Sequence, residues 1–291
     1  MKTITVLIPA YNEEAVLPQL FARLKDLQKT IKKYRLELLF INDGSSDDTL
    51  TMIQREAKKN SSIAYVNLSR NFGKEAGMLA GFDYAKGDAV VIIDADLQDP
   101  PELIPQIIEL WEQGYDDVYA RRRSRQGETW LKRKTSEWYY RILQKSTRIP
   151  IQRDTGDFRL LDRRCVEALK LLRESQRNTK ALFSWIGFNK KELLYDRDPR
   201  AAGDTKWNYN KLINLAIDSI TSFTTTPLRI SSILGIIISC CAFIYILYLL
   251  IRPLFGIPTG TGYSSLMAVI LFLSGIQLIS LGIIGEYRGQ A

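Results

Sequence analysis

The stretch Val90–Glu102 constrains the fold more than any other. It reads Val-Val-Ile-Ile-Asp-Ala-Asp-Leu-Gln-Asp-Pro-Pro-Glu. Val90–Ile93 is β-branched with no polar break, as expected of a strand buried on both faces of a parallel sheet. Asp94, Asp96, Gln98 and Asp99 follow at its carboxyl end, and Pro101 is placed as a first helical residue. Open α/β sheets bind ligands at that rim. Two carboxylates and an amide at alternate positions can hold one divalent cation there. Turns also favour Asp, so the spacing alone leaves a plain strand end open. Composition narrows the choice. The chain has no histidine among its 291 residues, and two of its three cysteines, Cys240 and Cys241, sit side by side in an apolar run. Zinc and Cys/His nucleophile chemistry are thereby nearly excluded. Any metal at Asp94, Asp96 and Gln98 should be oxygen-ligated Mg2+ or Mn2+.

Upstream, Thr3–Ile8 reads as the first strand, followed by a loop through Glu14 and a helix to about Tyr34. Leu36–Ile41 reads as the second strand. It ends in Asn42-Asp43-Gly44-Ser45-Ser46-Asp47, where turn formers precede a helix to about Asn60. Ile63–Leu68, Ala89–Ile93 and Asp117–Ala120 are further expected strands, with helices to about Lys86 and over Pro101–Gln113. The alternation indicates a mostly parallel sheet with helices on both faces. Three polar loops, Tyr11–Glu14, Asn42–Asp47 and Asp94–Asp99, should converge on one rim. No P-loop and no Gly-x-Gly-x-x-Gly follows the first strand, so those phosphate-cradling readings lose ground. A metal would reconcile the acidic rim with an anionic ligand by bridging carboxylates to a diphosphate.

Ile230–Ile251 carries no charge; about 22 helical residues cover about 33 Å, enough for a bilayer core. Ser264–Gly285 is a second such run, and the Gly- and Pro-rich Arg252–Tyr263 reads as their connection. Two membrane spans are expected, with buried core helices as the alternative. Arg197, Arg200, Lys206, Lys211 and Arg229 precede the first run and Arg288 follows the second, against Arg252 alone between them. By the positive-inside rule the large N-terminal domain and both termini are expected in the cytoplasm, in a multi-pass protein of the inner membrane. Met1–Ala10 does not read as a signal peptide, and three cysteines imply no disulfide framework. The formal charge of +8 could mean nucleic acid. The basic residues gather instead near the apolar runs and in Arg121–Lys145, among Trp130, Trp138, Tyr139 and Tyr140. That mixture suits an anionic membrane surface, and no nucleic-acid partner is expected.

Four motifs occur in order: Ile8-Pro9-Ala10-Tyr11-Asn12-Glu13-Glu14, Ile41-Asn42-Asp43-Gly44-Ser45-Ser46-Asp47, Arg70-Asn71-Phe72-Gly73, and the Asp94–Glu102 stretch. Together they resemble the GT-A glycosyltransferases of family 2 that act on polyisoprenyl phosphates, such as dolichol-phosphate mannose synthases and bacterial undecaprenyl-phosphate glucosyltransferases. The resemblance continues through Asp157-Phe158-Arg159-Leu160 and Arg200–Trp207 to Pro227-Leu228-Arg229, so it covers nearly the whole chain. It implies an α/β fold: a GT-A, Rossmann-like catalytic domain over 1–204, an amphipathic interfacial segment over 205–229, and a two-helix transmembrane hairpin over 230–291, with spans at about 230–251 and 264–285. Two departures stand out. Lys74-Glu75 replaces the His-Gln of many relatives, and Lys180-Ala181 stands where Arg-Gly is usual.

The resemblance implies a membrane-anchored inverting transferase moving one sugar, with UDP-glucose the first choice of donor, onto undecaprenyl phosphate. Pro9, Tyr11, Glu13, Asp43, Asp94 and Ala95 would hold the nucleotide sugar; Asp94, Asp96 and Gln98 would surround Mg2+ or Mn2+. Glu13 has an alternative role, complementing a helix N-terminus. Asp157 is the implied catalytic group, in a charged loop with no regular period, with a salt bridge to Arg153 or Arg159 as the alternative. Arg122, Arg200, Lys206 and Arg229 are candidates for acceptor or donor phosphate, along with Arg121 and Arg123; a solvated basic face is the alternative for each. The helical stripe Leu212, Ile213, Ala216, Ile217, Ile220, Phe223 reads as an interfacial face rather than ordinary core. A GDP-mannose-dependent mannose synthase is the nearest competing function. A processive synthase lacks its Gln-x-x-Arg-Trp motif here, and a non-catalytic lipid-binding scaffold has no need of adjacent unpaired carboxylates. A homo-oligomer and a flippase partner are left open.

Overall fold

A computed structural model describes residues 1–123, 155–173, 179–196, 226–251, 255 and 262–288. Within them the chain forms two units, one comprising the described residues up to 196 and the other a pair of long C-terminal helices.

In the first unit the strands are β1 (Thr3–Ala10), β2 (Arg35–Asn42), β3 (Ile63–Asn67), β4 (Ala89–Ile92), β5 (Asp117–Arg122), β6 (Thr155–Asp162) and β7 (Lys190–Tyr195). They form one sheet in the order β3-β2-β1-β4-β6-β5-β7. β1, β2, β3 and β4 pair in parallel, as do β5 and β7, whereas β6 runs antiparallel to both its neighbours. The expectation of a mostly parallel sheet thus holds, with one reversed strand inserted.

The central strands are buried on both faces, and alternation divides their side chains between two cores. Ile4, Val6, Ile8, Leu38, Phe40 and Val91 face one cluster, closed by Leu17, Leu20, Leu24 and Leu27 of α1 (Leu17–Thr30) and Ile104, Ile107, Ile108 and Trp111 of α4 (Ile104–Glu112). Ile53 of α2 (Thr49–Lys59) joins the same side. Leu7, Leu39, Ile41, Val90 and Ile92 face the other cluster. It is covered by α3 (Lys74–Tyr84), α5 (Arg163–Leu171) and α6 (Thr179–Trp185). A near-continuous apolar strand sends alternate side chains into two layers, which requires helices on both faces. Gly81 of α3 lies so close to β1 that a Cβ there would come within 2.2 Å of the Leu7 side chain. The chain order reverses between β1 and β4, which is the crevice where such sheets bind ligands.

The second unit consists of α7 (Thr226–Ile251) and α8 (Tyr263–Arg288). They pack through small residues: a Cβ on Gly275 would meet Ser239 Oγ at 2.0 Å, and one on Gly235 would meet the Ile279 nitrogen at 2.8 Å. Large apolar side chains on both helices, among them Ile236, Phe243, Ile244, Leu266, Leu273 and Ile284, are exposed. The described side chains of the two helices run continuously over 233–248 and 265–281, with Ile251 and Ile284 beyond them. Over those described stretches alone, no helix is long and apolar enough to cross a membrane. Of the expected interfacial segment 205–229, residues 226–229 open α7, while 205–225, the stripe Leu212–Phe223 and the aromatic-basic stretch beyond Arg123 lie outside the described residues.

Candidate functional site

The three expected loops do converge, and the contacts that join them are specific. After β1, Asn12 takes a left-handed backbone (φ 54°); its Oδ1 accepts from Ser46 N at 2.9 Å and its own N donates to Ser45 Oγ at 3.0 Å. Glu13 N donates to Thr49 Oγ1 at 2.8 Å, and Glu14 Oε2 accepts from Asp48 N at 2.9 Å. The loops after β1 and β2 are therefore one unit. Tyr11 is 36% exposed at its start, while Pro9 is half-buried in β1 against Ile41 of β2.

Asp43 joins this unit to the next loop. Its carboxylate is buried and accepts from Phe72 N at 2.8 Å and from Gly73 N at 2.9 Å. Gly44 allows the approach: with φ 63°, it lies where a Cβ would fall 2.3 Å from the Arg70 carbonyl carbon. Asp43, expected to meet a nucleoside, thus holds backbone with both oxygens.

The loop after β4 contains a second strained residue, Leu97, buried with φ 59°. A branched residue in the left-handed region is a local cost that surrounding structure must hold in place. The turn brings Gln98 N to within 3.2 Å of Asp96 Oδ1, with Asp96 and Ala95 buried and Gln98 half-buried. Asp94 remains partly accessible.

Asp157 is not in an irregular loop as expected; it lies near the start of β6. Because β6 runs backwards, its start lies at the rim where its neighbours end. The β4–β6 register pairs Ile92 with Arg159, and two residues further it sets Asp157 opposite Asp94. The aperiodic look of Arg153–Arg159 hid a strand whose alternate positions are Asp157 and Arg159. Of the two expected alternative partners, Arg159 pairs elsewhere. Arg159 is fully buried, 3.0 Å from Asp117 Oδ2 and over the Phe183 ring at 3.8 Å; Arg153 lies outside the described residues. The partner is Lys74, whose Nζ lies 2.5 Å from Asp157 Oδ2 and 2.5 Å from Asp94 Oδ1. Burial opposes ionisation of Asp157, but the charges of Lys74 and Lys180 and the Lys74 hydrogen bond outweigh it and bring the pKa down to about 2. Burial would likewise push the Lys74 ammonium down, yet Asp94 and Asp157 together raise it above the ordinary lysine value. Asp157 Oδ1 is buried without a hydrogen-bond partner among the described residues.

Of the basic triplet, Arg121 pairs with Glu192 at 2.9 Å and Arg123 with Asp196 at 3.8 Å. Alternation along β5 turns Arg122 the other way. Its Nη2 lies 3.9 Å from where a Cβ on Gly156 would be, beside Asp99, and its Nε is buried without a partner among the described residues. Tyr195 donates from its hydroxyl to Asp99 Oδ1. Burial first, then Asp99, pushes the Tyr195 pKa up, so it stays a donor. Arg229 lies in the first turn of α7; Arg200 and Lys206 lie outside the described residues.

Sequence reasoning missed Lys74, Tyr195 and the Glu75–Thr179 pair, in which Glu75 accepts from Thr179 N at 2.9 Å and from its hydroxyl. Lys74-Glu75 and Lys180 carried a signal, as departures from the motif of many relatives, but only the fold shows what they touch.

Among the described residues no three Asp, Glu, Cys or His side chains form a ready-made metal cage. Mg2+ commonly needs only one or two carboxylates, with substrate phosphates and water completing the shell. Asp94 and Asp96, hard donors two residues apart at a strand end, fit that requirement once Lys74 yields one Asp94 oxygen or the cation takes the other.

Comparison with known proteins gives the same picture. Residues 5–170 match the model of glycosyl transferase family 2, and residues 226–290 match the GtrB C-terminal hairpin. An uncharacterized glycosyltransferase of Synechocystis is 50% identical over 99% of this chain and 90% of its own length. The prophage bactoprenol glucosyl transferase homolog of Escherichia coli K12 is 42% identical, covering 99% and 94%. The bactoprenol glucosyl transferase of Shigella phage SfV is 43% identical, covering 99% and 93%. Glucosyl-3-phosphoglycerate synthase from Mycobacterium tuberculosis, crystallised with Mn2+, UDP-glucose and phosphoglyceric acid, is 18% identical with a TM-score of 0.51 over 76% of this chain and 78% of that one, a likeness of fold. A strand-end Asp-Ala-Asp in a GT-A sheet and a family match over more than half its length identify the chain: it belongs to glycosyl transferase family 2.

Proposed function

We propose that the protein transfers one glucose from UDP-glucose to undecaprenyl phosphate, with inversion, at a membrane surface. The observation that carries this reading is the meeting of Asp94 and Asp157 over one Lys74 ammonium. It sets a diphosphate-binding strand end against a group suited to an incoming acceptor. The names of the curated relatives, bactoprenol glucosyl transferases among them, supply the sugar and the lipid.

On the donor side, Tyr11 offers an exposed ring to the base and Glu13 an acceptor for sugar hydroxyls; Pro9 and Ala95 shape the backbone around them. Asp43 acts one step back, by holding the Phe72–Gly73 backbone. Asp94, Asp96 and Gln98 would hold Mg2+ or Mn2+, which when bound supplies charge neutralisation to the diphosphate. The phosphate acceptor has a second pKa near 6 and is mostly dianionic at neutral pH. Its oxygen forms the bond to the anomeric carbon as the bond to the UDP oxygen breaks on the opposite face, so configuration inverts and no proton need move. Asp157, ionised throughout the neutral range, orients the acceptor rather than taking a proton from it. Arg122, with Arg200, Lys206 and Arg229 nearer the hairpin in sequence, supplies positive charge for phosphate.

We assign α7 and α8 to the bilayer, with spans at about 230–251 and 264–285 and the preceding segment 205–229 at the interface. Each helix has 26 residues, about 39 Å at 1.5 Å per residue against a hydrocarbon core of about 30 Å. Exposed Ile, Leu and Phe on both helices support the assignment, as does the match to a family hairpin. The catalytic domain and both termini then lie on the cytoplasmic side by the charge rule.

The test uses purified full-length protein in detergent with undecaprenyl phosphate and, separately, UDP-glucose and GDP-mannose, with product mass measured. The expected product is the lipid phosphate plus one hexose from UDP-glucose. Product from GDP-mannose alone would replace this reading by the mannose synthase one.

A further inference from the structure

Lys74 opens α3 at the rim, and its backbone is held on both sides. Gly73 N and Phe72 N donate to Asp43, and the neighbouring Glu75 is tied to Thr179 of α6. The side chain, by contrast, is 38% exposed along its length. It is therefore a fixed base with a partly exposed side chain that ends in an ammonium head. That head touches Asp94 and Asp157 at 2.5 Å each, so the two carboxylate oxygens lie no more than about 5 Å apart, a distance at which unscreened like charges repel appreciably. Asp96 adds a third carboxylate two residues from Asp94. With no histidine in the chain and Arg159 committed to Asp117, Lys74 is the cation described in contact with both Asp94 and Asp157.

We infer that Lys74 is an internal counter-cation that withholds Asp94 from divalent metal in the donor-free protein. It gives up Asp94 and keeps Asp157 when the nucleotide sugar and metal enter together. This inference rests on the proposed function's assignment of the diphosphate to Asp94 and Asp96. Two features of the site follow from it. Metal uptake is coupled to donor binding, because a dication at Asp94 alone must sit within a few ångströms of the Lys74 ammonium, which stays paired with Asp157. Asp157 also remains paired when a dianionic acceptor approaches, so the acceptor meets a neutral pair instead of a bare carboxylate. Lys74 is in this sense a positioning residue whose charge, more than its shape, matters.

The experiment titrates Mn2+ into full-length protein in detergent, with free Mn2+ followed by electron paramagnetic resonance, with and without UDP-glucose. Wild type should bind Mn2+ weakly alone and more tightly with UDP-glucose. Lys74→Met should bind Mn2+ alone at least about tenfold more tightly than wild type, since the nearest positive charge is gone. Lys74→Arg should restore the wild-type pattern. Lys74→Gln, neutral but able to donate a hydrogen bond to Asp157, gives the same reading if the Met variant does not fold. Equal donor-free Mn2+ affinity for wild type and the neutral variants, with UDP-glucose still promoting uptake by wild type, would overturn the inference and leave the proposed function standing. No Mn2+ uptake by wild type even with UDP-glucose would overturn the metal assignment, and this inference with it.

Discussion

Asp157 carries its charge through the whole neutral range, which constrains what it can do. Its pKa is about 2, so the stabilisation from its pairing is full above the ordinary value near 4 and is lost as pH falls through about 2. A carboxylate that weakly basic is a poor proton acceptor at neutral pH, where general bases work best with a pKa near the working pH. Asp157→Asn should lower turnover by about 10²-fold, the scale of a misplaced reactant, whereas loss of a true base would cost about 10²–10⁴. The loss should be constant from about pH 5.5 to 8.5 and appear partly in acceptor KM, as expected of positioning. A pH–rate profile in which the deficit closes above the acceptor's pKa near 6 would assign it proton removal instead. Asp96→Ala should abolish turnover while leaving the fold intact by circular dichroism, and excess EDTA should abolish turnover of wild type. Full activity in EDTA would rule out a metal at Asp94 and Asp96.

At the scale of elements, the rim depends on how loops approach one another. Gly44 sits at φ 63° against the Arg70 backbone. Gly44→Ala should therefore cost about 1–3 kcal/mol from backbone strain, plus displacement of the Arg70 segment, measured by urea unfolding. Loss of less than half that would mean the loops can separate freely. The start of β6 is held differently. Arg159 and Asp117 form a buried pair, with Lys190 4.0 Å from the same carboxylate. Arg159→Met leaves Asp117 buried with only the more distant lysine, and removing one partner of such a pair costs about 3–5 kcal/mol. Because Asp157 is two residues away on the same strand, this variant should also lose activity beyond its loss of stability. Stabilising osmolyte should restore folding before it restores turnover.

At the scale of the whole molecule, donor groups belong to the first unit, while Arg229 opens the first helix of the second. The catalytic domain alone, residues 1–204, should bind UDP-glucose with near-wild-type affinity by calorimetry but use undecaprenyl phosphate poorly. A short-chain, water-soluble polyprenyl phosphate should narrow that gap. Equal efficiency on the long-chain lipid with and without the hairpin would show that the apolar helices contribute nothing to acceptor use.

Much of this was written in local pattern. The largely unbroken apolar runs of β1, β2 and β4 determined a sheet covered on both faces, and the polar residues after each run determined where the rim would be. Asp94, Asp96 and Tyr11 could be singled out because strand-end chemistry is set by neighbours a few residues apart. The pairing of Asp157 with Lys74 and of Tyr195 with Asp99 could not be read that way. Those partners lie 83 and 96 positions apart, and only the register of β6 and the placing of α3 and β7 bring them together. Asp43 shows what sequence position could not supply: the close approach of two loops lets its two oxygens accept from the Phe72 and Gly73 N–H groups. Charge pairing across a sheet is a tertiary quantity. A carboxylate's neighbours in space, rather than in sequence, decide whether it holds a metal, a lysine or the fold itself.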